Sequence, residues 1–177
     1  MVRPQVKGAG VRVESEREYV EYVRARAVTL RRIAYQLCGD WHGAEDLAQR
    51  AFVLLYRHWR QANAASSLDA YTRRILVNVY LEDRRSWWSR RVTPSAEPCS
   101  ETADDDGAEG RVDLIAALAR IAPRQRAVLV LRYWEGLDVA ETAEALGCSP
   151  GTVKSQTSSA IASLRRLLPD YLPEGRA

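Results

Sequence analysis

The sequence has no apolar run approaching the roughly 20 residues that cross a bilayer. Nor does Met1 to Gly10 hold the hydrophobic core of a signal peptide. No membrane association is expected, and the location expected is cytoplasmic. Cysteine is scarce: Cys38, Cys99 and Cys148 are an odd number without paired spacing, which argues against a disulfide framework. Cys38 and His42 have a possible ligand spacing on a helix, but no second pair completes a tetrahedral site, so no metal is expected. The two histidines, His42 and His58, belong to no nucleophile and base arrangement, and there is no phosphate-binding loop. An enzyme is therefore not expected, and neither a catalytic residue nor a cofactor is assigned. Runs of β-branched residues are few, and proline and glycine cluster in a handful of places, so the fold class expected is all-α. Internal repeats and heptads are absent.

The formal net charge of +3 is unevenly spread over the 177 residues. Residues 19–91 carry thirteen basic and seven acidic side chains, whereas residues 92–111 carry one and six. The flanking segments 1–18 and 112–177 are each close to neutral. A basic helical block followed by an acidic link points to a first domain that meets a polyanion.

The most informative stretch runs from Gly136 to Leu168. Val139 to Leu146 predicts a short helix, Gly147-Cys148-Ser149 a tight turn, and Pro150 onward a second helix reaching about Leu168. This is the helix-turn-helix plan. Ala143 is small where two helices cross closely, and Gly147 supplies the positive φ of the turn. Ser149 is a good N-cap, and Pro150 gives up only an N–H that would be unpaired at the first helical position. Leu146, Cys148 and Val153 form the inner side. Thr152, Lys154, Ser155, Gln156, Ser158 and Ser159 are left on the outer turns, where they can bond phosphates and base edges. Thr142, beside the packed alanine, stands where such motifs usually carry an aliphatic residue.

Upstream, Met1 to about Val13 shows no periodicity, and residues 1–15 are expected to be a flexible tail. Apolar residues at helical spacing from Tyr19 to Leu37 predict a helix over Glu16–Leu37, ended by Cys38-Gly39-Asp40. A second helix, Ala44–Trp59, buries Leu47, Ala48, Ala51, Leu55 and Trp59. Gln61 to Ser67 reads as a loop, and a third helix starts near Leu68 behind a serine cap. Its expected inner face is Leu68, Tyr71, Ile75 and Val79, and its outer face Arg73, Arg74, Asn78, Arg84 and Arg85. Trp87 and Trp88, between arginines, either close the core or stack on unpaired bases. Residues 92–111, with two prolines and Asp104-Asp105-Asp106, bury too little to fold alone and predict a flexible linker. A helix over Arg111–Ile121 follows. Another opens at Pro123 and ends at Glu135, with Val128, Leu129, Leu131 and Trp134 packing behind the helix-turn-helix. Residues 169–177 form a short tail.

Three segments, GAEDLAQRAFVLLYRHW at 43–59, SSLDAYTRRILVNVYLEDRR at 66–85 and LARIAPRQRAVLVLRYWEGLDVAETAEALGCSPGTVKSQTSSAIASLRRL at 118–167, resemble bacterial sigma factors. The resemblance is to the extracytoplasmic-function group, in an actinobacterial branch, and covers roughly residues 16–168. It implies region 2 over residues 16–91 and region 4 over residues 112–168. Asp46, Leu47, Gln49 and Phe52 would then meet the clamp of the largest subunit of core RNA polymerase. Gln61, Asn63, Ser66, Tyr71, Arg73, Arg74, Asn78, Arg84 and Arg85 would open and read the minus-ten element. Ser149, Thr152, Lys154, Ser155, Gln156 and Ser159 would read the minus-thirty-five element as duplex. Gln156 and Ser159 stand where many relatives carry arginine, which implies a weaker salt dependence. The acidic linker would either mimic nucleic-acid phosphates in the polymerase cleft or serve as a solubilising tether. An anti-sigma protein is a further partner of the family. The rival reading is a self-sufficient regulator binding duplex DNA through the same helix-turn-helix, with the first half as an effector domain.

Overall fold

In a computed structural model, the backbone is described for residues 7–90 and 108–168, and the side chains for residues 15–85 and 114–168. The acidic linker through Gly107, the C-terminal tail and the side chains of Trp87 and Trp88 lie outside the described residues. Among those described, every regular element is helical.

The first helix, α1, spans Lys7–Cys38 and so starts well before the amphipathic pattern at Glu16. The expectation of a structureless tail fails from Lys7 onward. Once a helix is nucleated and docked, each added residue gains one hydrogen bond, so it can extend past its own apolar stripe. Gly39, at φ +90°, ends α1 in a conformation that side chains disfavour. Asp40 then caps α2, Trp41–Arg57, its carboxylate accepting from the Gly43 N–H at 2.6 Å. That cap places the start of α2 three residues before the predicted one.

Leu47, Ala48, Ala51 and Leu55 of α2 face the core as predicted, and Ala44 joins them. A short α3, Trp59–Asn63, takes up part of the predicted loop. It seats Trp59 edge-on to Tyr19 and tilted against Tyr22, with ring centroids 5.3 and 5.9 Å away. Ser67 caps α4, Leu68–Arg90, by accepting from the Ala70 N–H at 3.2 Å. The buried face of α4 is Thr72, Leu76, Val77, Val79 and Tyr80, while Leu68, Tyr71 and Ile75 are only half-buried. The expected inner face was thus rotated: α4 packs on α1 and α2 and also on the second half of the chain. A face chosen to fit one neighbour misses the other.

In the second half, α5 spans Ala108–Ala119 and α6 spans Pro123–Leu129. The chain then widens into a π turn over Val130–Trp134, in which the Glu135 N–H reaches the Val130 carbonyl at 3.1 Å. Val128, Leu129 and Leu131 are buried as expected, but Trp134 is 39% exposed. The wider turn swings Tyr133 and Trp134 out of the stripe that a continuous α-helix would have kept inward. Gly136, at φ +67°, turns the chain into α7, Val139–Leu146.

Candidate nucleic-acid and polymerase interface

The helix-turn-helix is built by local chemistry at each joint. Asp138 and Glu141 form a reciprocal capping box: the Glu141 N–H donates to the Asp138 carboxylate, and the Asp138 N–H to the Glu141 carboxylate, each at 2.8 Å. This Asp-x-x-Glu signature precedes the apolar run and is legible in the sequence. Gly147 adopts φ +59°, which lets the Cys148 N–H return to the Ala143 carbonyl at 3.0 Å. Ser149 then caps α8, Pro150–Leu167, its hydroxyl accepting from the Thr152 N–H at 3.1 Å. Ala143, Leu146 and Val153 are buried where α7 and α8 cross. Thr142 is also buried, and its hydroxyl has no partner among the described residues.

This frame leaves Lys154, Ser155 and Ser159 exposed on α8, with Thr152 and Gln156 half-buried. The Thr152 hydroxyl lies 2.9 Å from that of Ser149, so the two belong to the cap. Lys154 borders an open groove of about 430 Å³ that Arg132 and Arg165 also line, with Val139 and Ile161 as its apolar part.

On α4 the expected minus-ten residues fall on two faces. At about 100° per residue, Tyr71, Arg74, Asn78 and Arg85 lie within about 60° of one another. Of these, Arg74, Asn78 and Arg85 are exposed and Tyr71 half-buried. Gln61, Asn63 and Ser66 are exposed at the preceding joint, where the Asn63 amide donates to Glu18 at 3.2 Å. Arg73 and Arg84 lie on the other side of the helix. Arg73 is half-buried and pairs with Glu135 of the second half at 3.7 Å, and Arg84 lies over the Tyr80 ring at 5.6 Å. Burial raises the pKa of the Glu135 carboxyl, and Arg73 pulls it back toward the ionised form. Arg73 is therefore not on the outer face expected for it.

On α2, Asp46 and Gln49 are exposed as a docking face requires. Leu47 is not: it is 3% exposed and faces the core. Phe52 is half-buried, and its carbonyl accepts from the Tyr19 hydroxyl at 2.9 Å. The helical period explains the correction, because Leu47 stands beside Asp46 in sequence but about 100° away around the helix. Continuing the exposed stripe by three and four residues instead reaches Arg50, Val53 and Tyr56. Val53 is 60% and Tyr56 51% exposed, so this stripe offers apolar surface that the sequence reading did not single out.

Comparison with known proteins accounts for both halves in this order. Residues 22–90 match the family model "Sigma-70 region 2", and residues 111–164 match "Sigma-70, region 4". The chain is 40% identical over 156 residues to the RNA polymerase sigma-E factor of Streptomyces coelicolor, covering 85% of this chain and 86% of that protein. It is 32% identical over 148 residues to the ECF RNA polymerase sigma factor SigL of Mycobacterium tuberculosis, covering 80% and 84%. Among solved structures, the sigma factor RpoE from Bartonella quintana, crystallised with the anti-sigma factor NepR, shares the fold. Its TM-score is 0.73 at 24% identity, with 86% of this chain and 98% of that one covered. With both regions matched in order, the chain belongs to the extracytoplasmic-function sigma factors of the sigma-70 family.

Proposed function

We propose that this chain is a dissociable specificity subunit that binds core RNA polymerase, directs it to promoters and assists their opening. It acts by binding and is not itself a catalyst. The observation that carries this reading is the match to sigma-factor relatives through both regions, 40% identical over 85% of the chain in one case. A self-sufficient regulator has no need of a first half that matches sigma region 2.

The division of labour follows from the exposed surfaces. Asp46 and Gln49, extended by Val53 and Tyr56, form the α2 face offered to the clamp of the polymerase largest subunit. Tyr71, Arg74, Asn78 and Arg85, with Gln61, Asn63 and Ser66, meet the minus-ten element as its strands separate: arginines neutralise phosphates, and Tyr71 offers a ring to an unstacked base. Lys154, Ser155, Gln156 and Ser159 of α8 meet the minus-thirty-five element, with the capped N-terminus of α8 toward the phosphates. No described helix is long and apolar enough to cross a membrane, which is consistent with action in the cytoplasm. An anti-sigma protein is a further expected partner; the RpoE relative was crystallised with one.

Co-purification of the chain with bacterial core polymerase, followed by transcription from a library of promoter fragments, tests the reading. Stable association and new start sites are expected. Specific binding to duplex DNA without any association with core polymerase would return the regulator reading. Within the same library, Gln156→Ala is expected to relax preference at one minus-thirty-five position by about 1–3 kcal/mol, the worth of a bidentate amide-to-adenine pair. A uniform loss across all sequences would show that Gln156 reads no base.

A further inference from the structure

Three side chains of α1 reach the segment that joins α3 to α4. Glu18, Tyr22 and Arg26 stand four residues apart, so at about 100° per residue they lie within about 80° of one another on one face of the helix. The Glu18 carboxylate accepts from the amide of Asn63, the last residue of α3, at 3.2 Å. The Tyr22 hydroxyl lies 2.9 Å from both Asp69 Oδ1 and Thr72 Oγ1, in the first turns of α4. Thr72 is fully buried and gives its own proton to the Leu68 carbonyl at 2.8 Å, so both oxygens accept from the one phenol proton. Burial pushes the pKa of the Tyr22 hydroxyl up to about 12, which keeps that proton in place at neutral pH. Arg26 completes the set by donating to the other Asp69 oxygen at 2.6 Å.

These ties bracket a turn that has little packing of its own. Asn63 stands before it and Asp69 after it, whereas Ala64, Ser66 and Ser67 between them are exposed. Its course is therefore set mainly by two anchors, and α1 holds both. The Arg26 pair is open to solvent and screened, so Tyr22 carries the greater part of the second anchor. The chemistry at Asn63 adds a direction. An ionised carboxylate only accepts, so Asn63 turns its nitrogen toward Glu18 and its carbonyl oxygen away. We propose that Glu18 and Tyr22 are positioning residues for minus-ten recognition: they fix the turn so that Asn63 presents an acceptor to the donor edge of a base in the separated strand. Neither touches the base, and each acts through the residue it holds. That role rests on the sigma-factor reading, in which this turn meets the minus-ten element.

Transcription by core polymerase with the full chain, from a promoter library randomised in both elements, tests this role. Tyr22→Phe keeps the ring beside Trp59 and removes only the hydroxyl, and Glu18→Ala alters an exposed side chain. Both are expected to stay folded by circular dichroism. Each should relax base preference within the minus-ten element about 3- to 10-fold, the equivalent of one hydrogen bond, with minus-thirty-five preference unchanged. Glu18→Gln keeps an acceptor for the Asn63 amide and is expected to keep the wild-type preference. Asn63→Asp sets two carboxylates against each other and is expected to relax it. Adding Glu18→Gln to Asn63→Asp exchanges donor and acceptor, keeps the charge and leaves an oxygen for the base, so the preference is expected to return. A part in stability alone would lower transcription from all promoters alike and would not be rescued by that exchange. Unchanged minus-ten preference in either Tyr22→Phe or Glu18→Ala, or equal losses at both elements, would overturn the role. With start sites from wild type, such a result overturns it alone; no start sites at all would bring down the sigma-factor reading and the role with it.

Discussion

Replacing Leu118 with alanine is expected to lower the stability of the second half by about 2–5 kcal/mol, and its melting temperature by roughly 5–15 °C. Leu118 is fully buried in a cluster made only of second-half residues, Ala117, Ile121, Leu129, Ala160 and Leu164 among them. This cluster clamps α5 against α6 and α8, so the loss falls on the frame that holds the recognition helix. The substitution removes apolar volume from a place where three helices already meet, and the backbone has little freedom to collapse into the space. Calorimetry of the full chain reads the shift. Val53→Ala, on a residue 60% exposed, is the comparison and is expected to change stability by less than about 0.5 kcal/mol. A Leu118→Ala chain melting like wild type would mean that α5 contributes nothing to the fold of the second half.

The parts of the fold that the sequence disclosed are those governed by residues close together in the chain. Gly147, Ser149 and Pro150 mark the turn and the start of α8 because each meets a backbone requirement within three or four residues. The same holds for the core stripe of α2, whose period needs one partner surface only. The less legible features all depend on residues far apart. The inner face of α4 was set wrongly because two surfaces compete for it, one of them contributed by α6 and α7. Trp134 was placed inside because nothing local announces a π turn. Nothing local in Pro-Arg-Gln-Arg marks Arg126 for burial, and only its meeting with the end of α1, some ninety residues earlier, makes it a buried cap. The candidate sites divide in the same way: Asp46, Gln49, Arg74, Asn78, Lys154 and Ser155 are exposed, as the roles proposed for them would require, while Leu47 and Arg73 are turned elsewhere by tertiary contacts.

The exposed stripe of α2 yields the largest expected effect on function. Asp46→Lys is expected to weaken association with core polymerase about 10- to 100-fold and to leave thermal stability within about 0.5 kcal/mol of wild type. Asp46 is exposed, so its replacement leaves no buried group without a partner. Opposite a fixed docking surface, however, reversing its sign turns an attraction into a repulsion, and like charges brought together on docking cost several kcal/mol. The loss should grow as salt is lowered, because screening hides repulsion between exposed charges at high ionic strength. Val53→Asp should act at the same surface by a different route, placing a charge where an apolar contact is offered, and its effect should depend less on salt. Leu47→Ala separates surface from core. Its side chain lies inside, so it is expected to cost about 2–5 kcal/mol of stability and to weaken polymerase binding only to the extent that the first half unfolds. Equilibrium binding to core polymerase, measured well below the melting temperature of each variant, distinguishes the three. If Leu47→Ala impaired binding by folded protein as much as Asp46→Lys does, polymerase would have to rearrange α2 as it docks. If Asp46→Lys bound like wild type at every salt concentration, the polymerase would engage another face of the first half.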